Sequence, residues 1–167
     1  MRALAACWPL LLAGCAMAPA DMNPRAAVSN HPEASVFDRI DNAEAALDAA
    51  LMQAKAEDKR VLMVLGANWC HDSRAFAGWM ETDRFAALLE RAFVPLYLDA
   101  GSPQSGQGRH LDLAARYGVS GIEGTPTVIV LTSEGAVVNA DSAKTWRNAA
   151  SRSEDAIYAE LERLGTP

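Results

Sequence analysis

Five consecutive apolar residues, Val61-Leu62-Met63-Val64-Leu65, constrain this chain more than any other feature. A run that short, partly β-branched and lacking polar alternation reads as a strand buried on both faces, the pattern of a parallel strand held between two helical layers. It is expected to be the central strand of a sheet. The chain has 167 residues with no second composition regime, which suits one core, and its 50% apolar and 22% charged residues are those of an ordinary globular protein.

The remaining elements are read around that strand. Ser35 and Asp38 form a partial capping box, and Phe37, Ile40, Leu47, Leu51 and Ala54 give a helical stripe ending near Asp58. After the turn Gly66-Ala67-Asn68, residues from His71 to Phe93 are helical in pattern, with a bend or restart expected at Gly78 and at Thr82-Asp83. Val94-Pro95-Leu96-Tyr97-Leu98 reads as an edge strand, because Pro95 removes a ladder donor. Gly101, Pro103, Gly106 and Gly108 mark a flexible excursion before a short helix through Leu111, Leu113, Ala114 and Tyr117. Thr127–Leu131 and Ala136–Val138 flank Ser133-Glu134-Gly135 as an antiparallel hairpin, and a final helix is expected from Ser151, with Glu154 closing a capping box, to Gly165. The fold class is therefore α/β: a mixed central sheet of about four strands, flanked by helices in three layers.

The N-terminal region reads as an export signal. Arg2 is the only charge in the first twenty residues, and the apolar run through Leu10, Leu11 and Leu12 is too short for a stable membrane span. Leu12-Ala13-Gly14-Cys15 resembles a bacterial lipobox, which would make Cys15 the lipidated first residue of the processed chain. Cleavage after Ala18-Pro19-Ala20 is the alternative. With Ala16 rather than aspartate after Cys15, the lipobox reading places the protein in the periplasm, anchored to the outer membrane. The alternative leaves it soluble in the periplasm. Membrane association is expected only through that lipid. Residues 21–35, with Pro24, Pro32, Asn23, Asn30 and Ser29, read as a flexible linker, leaving residues 36–167 as the folded domain.

Charge and cysteine count narrow the chemistry. Acidic residues outnumber basic ones by 21 to 15, which disfavours nucleic acid as a partner. Cys7 and Cys15 both fall in the signal, so Cys70 is the only thiol expected in the domain. Cys70 lies where the central strand turns into a helix. A thiol at a helix N-terminus meets unpaired N–H groups and the positive end of the helix dipole, which favour the thiolate. Ser73, one turn on, is placed to donate to that thiolate. His71 would help when protonated, and Asp72 would oppose it by like charge. A packing role for Cys70 and a plain solvent-facing or capping role for His71 and Asp72 are the blander readings. No metal site is expected, because Cys70 and His71 are adjacent and no second Cys/His cluster exists in sequence, and no cofactor is implied. His31 and His110 read as surface residues, and Trp146-Arg147 as a packing tryptophan beside a solvated arginine.

Trp69-Cys70-His71-Asp72-Ser73, Tyr117-Gly118-Val119, Gly124-Thr125-Pro126-Thr127 and the hairpin glycine Gly135 resemble the thioredoxin superfamily over residues 37–164. The resemblance implies a cis Thr125-Pro126 bond beside the reactive sulfur, Trp69 as an apolar wall flanking it, and Thr125 as a contact for an extended peptide substrate. The departures are specific. The usual Cys-x-x-Cys pair has become Cys70-x-x-Ser73, and Val64 stands where thioredoxins proper carry a buried acid, so the two-thiol reaction is lost. The segments 100–110 and Gly118–Thr125 are longer than in compact members.

Two functions stay open on these grounds. One is an exported monothiol thiol-disulfide oxidoreductase, with Cys70 as nucleophile, acting on protein or small-molecule thiols and disulfides and regenerated by a separate electron donor. The other is a redox-silent binding module of the cell envelope that keeps the fold and its peptide groove.

Overall fold

The computed structural model describes residues 31–166. Strand β1 (Arg60–Gly66) is the middle strand of a three-stranded sheet, parallel to β2 (Phe93–Asp99) on one side and antiparallel to β5 (Thr127–Leu131) on the other. Val61 through Leu65 are all 0% exposed. Alternation along the strand divides them: Val61, Met63 and Leu65 join the core beneath α1 (Ala43–Glu57) and α4 (Leu111–Arg116), while Leu62 and Val64 join Phe76, Phe85, Trp146 and Ile157 on the opposite face. That second face is covered by α2 (His71–Met80), α3 (Asp83–Ala92) and α5 (Glu154–Gly165). Each such buried side chain contributes roughly 1.5–3 kcal/mol, so the strand that the sequence marks most plainly also anchors both layers. As its Pro95 implies, β2 is an edge strand.

The first helix begins later than its apolar stripe. Asn42 is the N-cap of α1, its side chain accepting from the Ala45 N–H at 2.9 Å, and Asp58 closes the helix in a left-handed conformation. Phe37 stays outside because Asn68 takes its backbone: the Phe37 N–H donates to Asn68 Oδ1 at 3.0 Å, and Asn68 Nδ2 donates to the Phe37 carbonyl at 3.2 Å. The Phe37 ring fills the place a side chain on Gly66 would take. Gly78 has a similar role. A Cβ there would lie 2.3 Å from the Pro32 carbonyl oxygen, so glycine serves a close approach by the preceding segment. The long helical pattern from His71 does break, between Met80 and Asp83, with Thr82 as N-cap of α3.

Residues 31–35, assigned by composition to the linker, are packed against α2. The Ala34 N–H donates to the Arg74 carbonyl at 3.1 Å. Residues 1–30, including the expected signal, Cys15 and the rest of the linker, lie outside the described residues. Among the described residues, no helix is long and apolar enough to cross a membrane.

Among the described residues the central sheet has three strands where about four are expected. Past β5 the chain turns through Gly135, at φ +82°, and then makes only one bridge, Leu131 with Val137. Beyond it Asn139 substitutes for a strand: Val130 N–H donates to Asn139 Oδ1 at 2.8 Å, and Asn139 Nδ2 donates to the Val128 carbonyl at 2.9 Å. One buried amide thus completes β5 where the hairpin partner leaves. The excursion after β2 is a small hairpin, β3 (Gly101–Ser102) with β4 (Gln107–Gly108), around a 3₁₀ turn at Pro103–Ser105. The final helix is capped two residues later than expected: Ser153, not Ser151, is its N-cap, and Thr145–Ser151 forms a separate 3₁₀ segment.

Replacing Asn139 by alanine leaves a buried N–H and a buried carbonyl of β5 without partners. It should cost about 2–4 kcal/mol, read as a lowered denaturant midpoint with unchanged slope. A loss near zero would show that water or a shifted chain supplies the missing bonds.

Candidate active site at the start of the second helix

Strand β1 ends at Gly66, and the tight connection that follows delivers Cys70 as the N-cap of α2. The Cys70 N–H donates to the Ala67 carbonyl at 3.0 Å, the Cys70 carbonyl accepts from the Arg74 N–H at 3.0 Å, and Arg74 Nη1 donates to the Asn68 carbonyl at 3.0 Å. The sulfur therefore rests on a loop whose backbone is bonded at both ends. Cys70 is half-buried and is the one cysteine among the described residues.

Its thiol donates to the carbonyl oxygen of Thr125 at 3.2 Å, and the Thr125-Pro126 peptide bond is cis, as the family resemblance implies. Sheet geometry brings these loops together. β5 runs antiparallel to β1 with Leu65 opposite Thr127, so the residues just after β1 lie beside the residues just before β5. Thr125 and Pro126 are themselves buried, and the Thr125 hydroxyl has no hydrogen-bond partner among the described residues. The accessible rim is supplied instead by Trp69, 53% exposed, whose Nε1–H donates to the Gly101 carbonyl at 3.1 Å and pins its ring to the small hairpin. On another side the Arg147 side chain lies over half-buried Gly124, with Cδ 3.5 Å from where a Cβ would stand.

The side chains after Cys70 diverge. Ser73 is fully buried, and its hydroxyl makes no hydrogen bond to the sulfur or to any described residue. Asp72 accepts the Ala150 N–H at 2.9 Å, tying the first turn of α2 to the 3₁₀ segment. His71 faces the segment before the domain: its Nδ1 meets Glu33 Oε1 at 2.8 Å and its Nε2 lies 3.2 Å from His31 Nε2. Of the residues singled out by sequence, Cys70, Thr125 and Pro126 are brought together with Trp69 beside them, while Ser73 and His71 have other surroundings. Sequence reasoning missed Glu33, His31 and Asn68. Glu33 and His31 sit 38 and 40 residues from His71, with no periodic or motif signal linking them.

Glu33 is the hinge of that outer contact. The Arg74 guanidinium, 2.9 Å from its second oxygen, holds its carboxyl below the usual carboxylate range, with His71 assisting. Arg152, packed 4.2 Å over the buried Trp146 ring and paired with Glu160, closes the far side of the 3₁₀ segment.

A family model described as thioredoxin-like matches residues 42–133. The crystal structure of a disulphide isomerase from Xylella fastidiosa Temecula1 superposes with a TM-score of 0.71 at 28% identity, covering 80% of this chain and 98% of that one. No curated protein sequence matches this chain.

The lowered value of Glu33 has a signed consequence. Its charged form favours the docked segment, so docking is complete above the ordinary carboxylate range and is lost as pH falls through the depressed folded value. The protection factor of the Ala34 amide should fall in acid for the natural chain and already be low at neutral pH in Glu33→Gln. Equal protection in the two would show that Pro32 packing alone holds the segment.

Proposed function

The chain belongs to the thioredoxin-like family, and on that premise we propose that it carries out thiol-disulfide exchange through Cys70 alone, as an exported monothiol protein of the periplasm. The observation that carries this reading is the Cys70 thiol, part-exposed at the N-terminus of α2 and bonded to the carbonyl just before the cis-proline. Its similarity to a protein named a disulphide isomerase supports the same class of chemistry.

The steps follow from one sulfur. Loss of the thiol proton breaks the bond to Thr125, because two electron-rich atoms then face each other. That frees both the sulfur and the carbonyl, which becomes an acceptor for a substrate N–H. The sulfur anion attacks one sulfur of a substrate disulfide, forming a Cys70–substrate disulfide as the substrate's own S–S bond breaks and its other sulfur leaves as a thiolate. The natural helix dipole and the free N–H groups of the first turn of α2 stabilise negative charge at this position. We assign Ser73, whose hydroxyl has no hydrogen-bond partner among the described residues, as a donor to the charged sulfur. Trp69 is assigned as the wall against which the substrate packs, and Thr125-Pro126 as its platform.

With Ser73 in place of a second thiol, the mixed disulfide has no internal resolving group among the described residues. A second thiolate must attack it, releasing Cys70 and forming a new disulfide. If that thiolate belongs to the same substrate the outcome is isomerisation. If it belongs to a separate donor, a second donor thiol completes reduction. Cys15, by its lipobox, is the proposed site of lipidation that would hold this chemistry at the outer membrane.

The test uses the full chain with Cys7→Ser and Cys15→Ser, treated with oxidised glutathione and followed by intact mass. Cys70 should form a stable mixed disulfide that only added thiol removes, Cys70→Ser should form none, and Ser73→Cys should resolve the adduct into an internal disulfide. Absence of any adduct on folded protein would reject exchange and favour the redox-silent binding module.

A further inference from the structure

We infer that His31 and His71 form a two-imidazole binding site for a zinc ion on the outer side of α2, with Glu33 orienting His71. The site is independent of the exchange chemistry assigned to Cys70. It rests on how the four ring nitrogens are placed.

Each ring has one nitrogen committed to an acceptor. His71 Nδ1 faces the Glu33 carboxylate oxygen at 2.8 Å, and His31 Nδ1 faces the Pro32 carbonyl oxygen at 3.4 Å. Neither oxygen offers a proton, the first because it belongs to a carboxylate paired with the Arg74 guanidinium at 2.9 Å and the second because it is a carbonyl. With the hydrogen of each neutral ring on Nδ1, the tautomer these acceptors favour, both Nε2 atoms present lone pairs. Those two atoms lie 3.2 Å apart, with the ring planes tilted by 55°. Two lone pairs at that distance repel unless an electrophile sits between them.

The spacing is that of two corners of a metal tetrahedron. Nitrogens each about 2.0–2.1 Å from one zinc at tetrahedral angles are about 3.3 Å apart. A carboxylate on the far nitrogen of a ligating histidine is the usual outer-shell arrangement, fixing the tautomer and raising the basicity of the ring. Glu33 fits that outer role better than a direct one, because its other oxygen is taken by Arg74 Nε at 2.9 Å. The ligand atoms of His31, Glu33 and His71 all lie within 4.8 Å of one another. Both histidines are also fixed in place: His71 is the first residue of α2, and His31 precedes a segment pinned by the Ala34–Arg74 hydrogen bond and the Pro32–Gly78 contact. Cys70 is outside this set, its thiol directed at Thr125. Water completes the coordination.

The test is calorimetric titration of Zn²⁺ into the full chain carrying Cys7→Ser and Cys15→Ser, at neutral pH, with Co²⁺ as a spectroscopic probe of ligand type. The expected result is one ion per chain, affinity lowered at least tenfold in His31→Ala and in His71→Ala, unchanged affinity in Cys70→Ser, and a Co²⁺ spectrum without a thiolate charge-transfer band. Should His71→Ala disturb the start of α2, seen by circular dichroism, His31→Ala outside that helix still decides. No binding, equal affinity in the His31→Ala chain, or binding that disappears with Cys70→Ser would each overturn the site. An imidazolium pair, with a proton rather than a metal between the rings, would give the first of these results.

Discussion

The antiparallel register of β1 and β5 is the constraint on which the candidate site depends. With Leu65 opposite Thr127, the chain leaving β1 and the chain entering β5 meet at one end of the sheet, and Cys70 comes within hydrogen-bond distance of the Thr125 carbonyl. That register is held by burial on both faces of β1, since a slip of one residue would exchange Leu62 and Val64 with Val61, Met63 and Leu65 between two differently filled cores. Packing far from the sulfur thus decides where the sulfur points. The amide of Asn139 finishes the same device by satisfying the outer edge of β5.

From there the helical period distributes the chemistry. Successive residues of a helix point about 100° apart, and the extended N-cap Cys70 and the first three residues of α2 face four different ways. Cys70 meets the cis-proline loop, His71 meets His31 and Glu33, Asp72 meets the Ala150 N–H, and Ser73 enters the core. Four adjacent letters therefore serve four surroundings. The roles proposed for Cys70 and His71 can coexist in one turn with the structural role of Asp72, because these three side chains meet different partners.

Much of this was legible in the sequence where the signal is local. An unbroken apolar run marked the central strand, Pro95 marked an edge, Gly135 marked a turn, and Thr125-Pro126 with Trp69-Cys70 marked the loops that meet. What stayed hidden depends on side chains capturing distant backbone. Asn68 holds Phe37 extended, so the apolar stripe overestimates the first helix. Asn139 replaces a strand, so hairpin propensity overestimates the sheet. Gly78 accommodates Pro32, so a proline-containing segment read as a linker is partly packed on the domain. The histidine cluster was invisible for the same reason, because no spacing rule joins residues 31, 33 and 71.

The most direct test of the account is the rate at which iodoacetamide alkylates Cys70 at neutral pH in the full chain bearing Cys7→Ser and Cys15→Ser, folded against unfolded in urea. A sulfur held half-exposed at a helix N-terminus for attack should react faster folded than unfolded. Slower reaction in the folded chain, or none until denaturation, would contradict it and leave Cys70 as a packing residue.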